Sequence, residues 1–517
     1  MKRLLLATTL AGATALAGLA SPAFAQTITA ALNQDIRSSN PGVNRDGNTD
    51  IVILHVVEGL VGYSEGGEVG PLLAQKIDVS PDGKTYTFTL RKGVKFHNGA
   101  AMTSADVLWS WNRYMDPKTE WRCLPSFDGR NGIKVVSATA PDPDTFVMTL
   151  DEPNAMFLNT LALTDCCGTG ILNQESVKAD GSWDKPIGTG PFKFGEWKRG
   201  QSVTLDAFDD YVSPPGDKRD GFLGLKKALV KQVRFLAVPD AATVKAGLQS
   251  GAIDVSSVPE SEVAELQADP NLAVELGTNP VRHSIILQTR DPVLKNIKIR
   301  QAMAAAIDYE ELVSAVTDGL GKVNNSPIYR TSQYYGPVEQ QGFTYDPEHA
   351  KKLLEESGYK GEPITIYANK RSTVPSFNTA VIAQQMWQAI GLNVQIEVLD
   401  WATQLDKYNT GAYMMEATSY SLRFDPALGF EQISGPKDKQ PRKVWENPEA
   451  LALIDKAMKV TDPKERQALF DTLHKMLLED VPVIFTHNDN DCLAHNKRIT
   501  GLKPWASNLI LWDVGKS

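Results

Sequence analysis

Two strand–helix–strand units, about a hundred residues apart, constrain this chain most. In the first, Gln232 to Val238 alternates as a strand, Asp240 caps a helix over 241–250, Gly251 stops it, and Ile253 to Val258 returns to strand. In the second, Pro363 to Ala368 is a strand, Asn378 to Ile390 a helix with Gly391 at its end, and Leu392 to Leu399 a strand. A strand–helix–strand crossover places a helix on the face of a sheet, so each unit calls for its own α/β layers. No low-complexity linker separates them, and 517 residues hold about two to four domains' worth of core. The expectation is an α/β protein of two lobes joined by short crossovers, with any ligand in the cleft at the strand ends.

Local signals elsewhere agree with mixed α/β structure. Thr27 to Leu32 alternates as a first strand, and Lys84 to Leu90, behind the turn Pro81-Asp82-Gly83, reads as one arm of a hairpin. Thr103-Ser104-Ala105-Asp106 places a capping Thr three residues before an acid, and Val107, Leu108 and Trp111 follow at helical spacing. Asp346-Pro347 and Asp462-Pro463 each supply a cap and then Pro at the first helical position, with Glu465 completing a capping box in the second.

The amino terminus sets the compartment. Lys2 and Arg3 precede an apolar stretch from Leu4 to Ala20 and a small-x-small site, Ser21-Pro22-Ala23-Phe24-Ala25, the pattern of a cleaved secretory signal peptide. Gln26 stands where a lipid-anchored bacterial protein would need Cys, so a diffusing periplasmic protein is expected, and no later run is apolar for long enough to span a bilayer. The net charge of −9 and pI of about 5.5 lie far from the basic balance of nucleic-acid-binding domains. In an oxidising compartment Cys123, Cys166, Cys167 and Cys492 invite disulfides. Vicinal Cys166 and Cys167 rarely bond each other, so Cys123 is expected to pair with one of them, closing a loop worth about 3–4 kcal/mol. No CxxC or His cluster accompanies them, so no metal is expected; His487 and His495 read as structural.

Catalytic motifs are scarce. The chain has no GxSxG, HExxH, Walker A loop or GxGxxG. Gly188-Thr189-Gly190 is followed by Pro191, which removes a backbone donor, and Phe192 and Phe194 then alternate like a strand, so a phosphate cradle is disfavoured. A carboxylate pair assembled from distant segments would still permit a secreted hydrolase, the rival to a non-enzymatic reading.

A long ordered set of segments carries a resemblance. Pro71-Leu72-Leu73-Ala74 and Ser80-Pro81-Asp82-Gly83-Lys84-Thr85-Tyr86-Thr87-Phe88 come first, then Leu90-Arg91-Lys92-Gly93-Val94-Lys95-Phe96-His97-Asn98-Gly99 with Thr103-Ser104-Ala105-Asp106-Val107. Ile187-Gly188-Thr189-Gly190-Pro191-Phe192, Glu196-Trp197-Lys198-Arg199-Gly200, Gly247-Leu248-Gln249-Ser250-Gly251-Ala252-Ile253-Asp254, Arg300-Gln301-Ala302 and Ala306-Ile307-Asp308 follow in order. Together they resemble the family 5 bacterial extracellular solute-binding proteins, the peptide, nickel and opine receptors of ABC importers.

The resemblance implies a two-lobed type II periplasmic-binding-protein fold with an extra N-terminal subdomain in the first lobe. It places the first lobe at 26–280 with the subdomain at about 56–185, the second lobe at 281–485, and a return to the first lobe over 486–517. It further implies a monomeric receptor without a cofactor that closes on a solute and hands it to permease and ATPase subunits in the inner membrane. Closure follows from the solute's higher affinity for the state in which both lobes touch it.

For the ligand, the loop Thr418-Ser419-Tyr420-Ser421-Leu422-Arg423-Phe424-Asp425-Pro426 matches one that in peptide receptors carries an acid for the peptide ammonium; here Leu422 holds that place, beside Arg423. An Arg in the cleft favours a carboxylate or phosphate, because its planar fork pairs bidentately with either. Arg371, in the loop between the second unit's first strand and its helix, matches an Arg that can hold a ligand carboxylate, and Trp401 resembles an aromatic placed against the ligand. The polar segment Asn33 to Asp50, with Arg45 and Asp46, is expected to line the first-lobe wall. The expected ligand-binding set is therefore Asn33, Arg45, Asp46, Arg371, Trp401, Tyr420, Arg423 and Asp425, for a small anionic solute such as an opine or sugar acid, or a di- or oligopeptide.

Overall fold

The computed structural model describes residues 27–371, 374–436, 440–460 and 462–517; the expected leader lies outside these residues. One ten-stranded sheet runs through the molecule. From one edge its strands are Val394–Val398, Ile364–Ala368, Met415–Tyr420, Leu272–Leu287, Val483–Asn496, Val255–Ser257, Thr27–Leu32, Gln232–Ala237, Ser202–Ala207 and Phe192–Lys198.

The two central strands are long, 16 and 14 residues, and antiparallel, from Leu272↔Asn496 to Ile286↔Val483. Their register shifts between Thr278 and Arg282, where the segment Asn279-Pro280-Val281 interrupts the ladder, since Pro280 lacks the N–H a ladder bond requires. The first lobe hangs on one end of these strands and the second on the other. The lobe limits expected near 280 and 485 therefore fall inside the two strands rather than in loops.

Both crossover units are present, and local chemistry explains their ends. Asp240 accepts from Thr243 N–H at 2.8 Å to open the helix Ala241–Ser250, and Gly251, at φ 74°, closes it in a left-handed conformation that only Gly adopts without steric cost. The returning strand is shorter than expected, Val255–Ser257, because Ile253 N–H is bound to Gly247 O at the helix end, 2.9 Å. Thr27–Leu32 lies between the unit's two strands, parallel to both. In the second unit Ile364–Ala368 and Val394–Val398 are direct parallel neighbours, bridged by the helix Ser376–Ala389. Buried Trp387 fixes that helix, its indole N–H donating to Met303 O at 2.9 Å.

A separate antiparallel sheet, ordered Ala74–Val79, Thr85–Leu90, Thr145–Leu150, Val135–Asp142, lies within the expected subdomain. Its inward residues Tyr86, Phe88, Phe146 and Met148 are buried beneath the helix Ser104–Met115, which opens with the expected capping box at Thr103 and Asp106. The last residues pack back on the first lobe: Leu511 N–H donates to His55 Nε2 at 3.0 Å and the Trp512 ring meets His55 edge-on at 4.9 Å. Among the described residues no helix is long and apolar enough to cross a membrane.

Candidate functional site

A cavity of about 730 Å³ lies between the lobes where the strands end, inside the ~300–1,000 Å³ range of small-molecule sites. Asn33, Arg45, Asp46 and Asp50 line it from the first lobe, His487 from a crossing strand, and Arg371, Trp401 and Tyr420 from the second lobe.

Arg371 emerges where the strand Ile364–Ala368 ends. Asn369 Oδ1 accepts from both its backbone N–H, 3.2 Å, and its Nε, 3.1 Å, which leaves the terminal guanidinium nitrogens toward the cavity. The guanidinium lies over the Trp401 ring, 3.7 Å from its centroid, a cation–π arrangement that fixes its plane. No carboxylate stands within ion-pair distance of it among the described residues. Burial lowers its pKa, offset in part by Asp46, to about 10, so it stays cationic at neutral pH.

Trp401 opens the helix Trp401–Thr410, capped by Asp400. Its indole N–H donates to Asp46 Oδ2 across the cavity at 3.2 Å. Asp46 is itself the cap of the helix Gly47–Ile53, accepting from Thr49 N–H at 2.9 Å, so one buried carboxylate serves a helix end in one lobe and an aromatic of the other. Arg37 and Asp406 form a second bridge between the lobes at 3.3 Å. Both contacts cross the cleft. Arg45 lines the wall but is bound by Asp50, Nε to Oδ1 at 3.0 Å, and Asn33 Oδ1 accepts from Asn48 Nδ2 at 2.9 Å.

Two residues of the expected set lie elsewhere. Arg423 does not line the cavity; its Nη2 donates to Asp165 Oδ2 at 3.0 Å and its Nη1 to Leu422 O at 2.8 Å. Asp165 also meets Arg122 at 3.4 Å, with Arg45 nearby. Burial pushes the Asp165 pKa up, but Arg423, Arg122 and Arg45 together outweigh it and hold the carboxyl well below the usual range. Arg423 is therefore neutralised inside a buried ion cluster that joins the lobes. Asp425 likewise faces away from the cavity, capping the helix Pro426–Ile433 through Ala427 N–H at 2.9 Å and pairing with Arg466 at 2.5 Å.

The cysteine question resolves within the described residues. Cys123 bonds Cys166. Cys167 stays a buried thiol, 3.5 Å from Asp50 Oδ1, with its pKa pushed up by burial to about 11. Cys123, Cys166 and Asp165 converge closely enough to suggest metal ligands, but both sulfurs are spent on each other.

The cavity lining outside the expected set includes His487, Tyr408 and Glu416. His487 lines the cavity and stacks on His283 of the neighbouring strand, centroids 4.4 Å apart; burial first, then His283, lowers its pKa well below the ordinary value, so it is neutral there. Tyr408 comes from the Trp401 helix, and Glu416 from the strand Met415–Tyr420, on whose cavity side Glu416, Thr418 and Tyr420 alternate. That polar alternation against Met415 and Ala417 was the signal that could have found Glu416.

Comparison with known proteins places this geometry. The model of the bacterial extracellular solute-binding proteins, family 5 Middle, matches residues 68–440. The chain is 27% identical over 473 residues to the dipeptide-binding protein DppE of Bacillus subtilis, covering 87% of this chain and 84% of that protein. It is 30% identical over 402 residues to the dipeptide-binding protein of Escherichia coli, 72% of each. Among solved structures, AgaA of A. tumefaciens R10 in complex with agropinic acid has a TM-score of 0.83 at 26% identity, covering 95% of this chain and 99% of that one. Helicobacter pylori DppA in complex with the peptide STSA has a TM-score of 0.85 at 26% identity, covering 95% and 98%. These relatives are named as binding proteins, which leaves the hydrolase reading without support. Fold, cleft and matched family agree: the chain belongs to the family 5 bacterial extracellular solute-binding proteins.

Proposed function

We propose that this receptor captures a small carboxylate-bearing solute, an opine, a sugar acid or a short peptide, with Arg371 as the anion-binding group. The observation that carries this reading is the Arg371 guanidinium, which is cationic, held flat on Trp401, restrained by Asn369 and directed into the cavity without a carboxylate partner among the described residues. A planar donor fork fixed in advance pairs with a carboxylate at low entropic cost. The ligands named for related structures, agropinic acid and the peptide STSA, fall in the classes this site suits, and the cavity volume limits the solute to a small one.

In the same reading the lobes are 26–280 with the subdomain at about 56–185, 281–485, and the return 486–517, hinged where the two long strands lose register. After loss of residues 1–25 the protein works as a periplasmic monomer that delivers its solute, without chemical change, to the permease and ATPase of an ABC importer. Asn33, Arg45, Asp46, Trp401 and Tyr420 complete the wall, while Arg423 and Asp425 serve the fold.

The test is a thermal-shift screen of opines, sugar acids, short peptides and their uncharged analogues. A ligand at 100 times its Kd stabilises by about 2.7 kcal/mol, a rise of a few degrees at most for a chain of this length. Hits confined to carboxylate-bearing compounds and lost in Arg371→Ala are expected; a hit whose binding ignores that substitution counts against the assignment.

A further inference from the structure

Glu416 is an anomaly that the carboxylate-binding reading leaves unused. It lines the cavity yet is 1% exposed, no cation pairs with it among the described residues, and its Oε1 has no hydrogen-bond partner. Burying an acid without an ion-pair partner costs free energy. Lys407, whose charge acts on Glu416, directs its ammonium over the Tyr367 ring at 4.9 Å. The Tyr420 hydroxyl, also facing the cavity, lacks a partner as well, and the Tyr408 ring stands edge-on to Tyr420 with centroids 6.3 Å apart. The Tyr420 ring already has the Arg282 guanidinium over it, 6.0 Å from its centroid, so Glu416 is the acidic group of this wall left without a cation among the described residues.

Glu416 is also tied to Arg371. Arg371 Nε donates to Asn369 Oδ1 at 3.1 Å and Asn369 Nδ2 donates to Gln404 Oε1 at 2.8 Å, and the Gln404 side chain favours the charged form of the Glu416 carboxyl. Gln404 is itself immobilised through Ala417 O at 3.1 Å. Arg371 and Glu416 thus belong to one wall of the cavity, with the Asn369–Gln404 amide pair between them.

We propose that Glu416 is the cavity's acceptor for a cationic amine, so that the solute is a zwitterion with its carboxylate on Arg371 and its ammonium on Glu416. The inference rests on the Arg371 reading and narrows it, favouring amine-bearing opines and short peptides over sugar acids. An ammonium, unlike a hydroxyl, supplies the counter-charge that a buried carboxylate requires. Burial raises the Glu416 pKa well above its ordinary value, against the opposing pull of Gln404 and Lys407; Tyr413 and Tyr420 are the other titratable groups in its field. A cationic ammonium beside Glu416 opposes that shift, so its binding is expected to favour release of a proton from the carboxyl to solvent and to leave a carboxylate–ammonium pair.

The experiment titrates dialanine, N-acetyl-dialanine, octopine and glucuronate into wild type, Glu416→Gln and Arg371→Ala by calorimetry in two buffers of different ionisation enthalpy. Wild type is expected to bind dialanine or octopine with net proton release. Glu416→Gln, the same shape without the charge, should lose at least tenfold in affinity and the proton release, with an unliganded Tm no lower than wild type. N-acetyl-dialanine, which keeps the carboxylate and lacks the amine, should bind at least tenfold more weakly than dialanine. Glu416→Gln equal to wild type within twofold, glucuronate or N-acetyl-dialanine bound best, or no amine-bearing probe bound by wild type would each overturn the inference. Glucuronate binding lost in Arg371→Ala but untouched by Glu416→Gln would spare the Arg371 reading alone; loss in Glu416→Gln with Arg371→Ala intact would do the reverse.

Discussion

Arg371 and Arg423 sit in neighbouring loops of one lobe, yet the structure gives them opposite work. Arg371 lies on an aromatic plane with a neutral amide as its side-chain partner, its charge directed into the cavity. Arg423 is 7% exposed and spent on Asp165, a residue 258 positions away in the chain. A cationic side chain in a cleft loop becomes a ligand group only when no acid from another segment reaches it first. It also separates two predicted phenotypes: substitution at Arg371 should move affinity and leave the fold, whereas substitution around Arg423 should move the fold.

The sharpest way to break the comparison is at Asp165. Asp165→Ala strips the common partner from Arg423 and Arg122, and removing one member of a buried ion cluster costs about 3–5 kcal/mol. Denaturant unfolding followed by tryptophan fluorescence should show a fall of that size; a fall below about 1 kcal/mol would mean that the cluster is no more than a solvated contact. Next in size is the disulfide beside it. Cys123→Ala with Cys166→Ala releases a loop with a separation of 43 residues, worth about 3–4 kcal/mol in the chain-entropy account, and the loss should be matched by reduction of the wild type.

Smaller effects belong to the cavity. Trp401→Ala removes the plane beneath Arg371, an interaction of about 0.5–2 kcal/mol, so affinity for a carboxylate ligand should fall severalfold in a direct titration. The smallest effect is in the pH dependence of the unliganded protein. Asp165, depressed in the fold, contributes stability that is present above its unfolded pKa and lost as pH falls toward its folded value. Glu416, raised in the fold, has the opposite sign: its contribution diminishes as pH rises above the ordinary carboxyl range. Tm measured against pH should therefore decline less on the alkaline side in Glu416→Gln than in wild type.

How much of this was legible in the sequence follows the range of each interaction. Helix caps act over three residues, so Asp240, Asp346 and Asp462 open helices where their spacing says they should. Both crossover units could be read because their periodicity is local, and Arg371 and Trp401 could be placed because strand-end loops follow from those units. The partner of Arg423 could not, since Asp165 comes from the subdomain through tertiary contact alone. For Glu416 the polar alternation of its strand marks a face, but its lack of a cation follows only from tertiary packing beneath the Trp401 helix.

The most direct test of the account is the affinity of the strongest-binding carboxylate probe for Arg371→Ala, with the unliganded Tm recorded alongside. The account predicts at least a tenfold loss of affinity, about 1.4 kcal/mol, at an unchanged Tm. Full affinity in Arg371→Ala, or a loss explained by a fallen Tm, would contradict it.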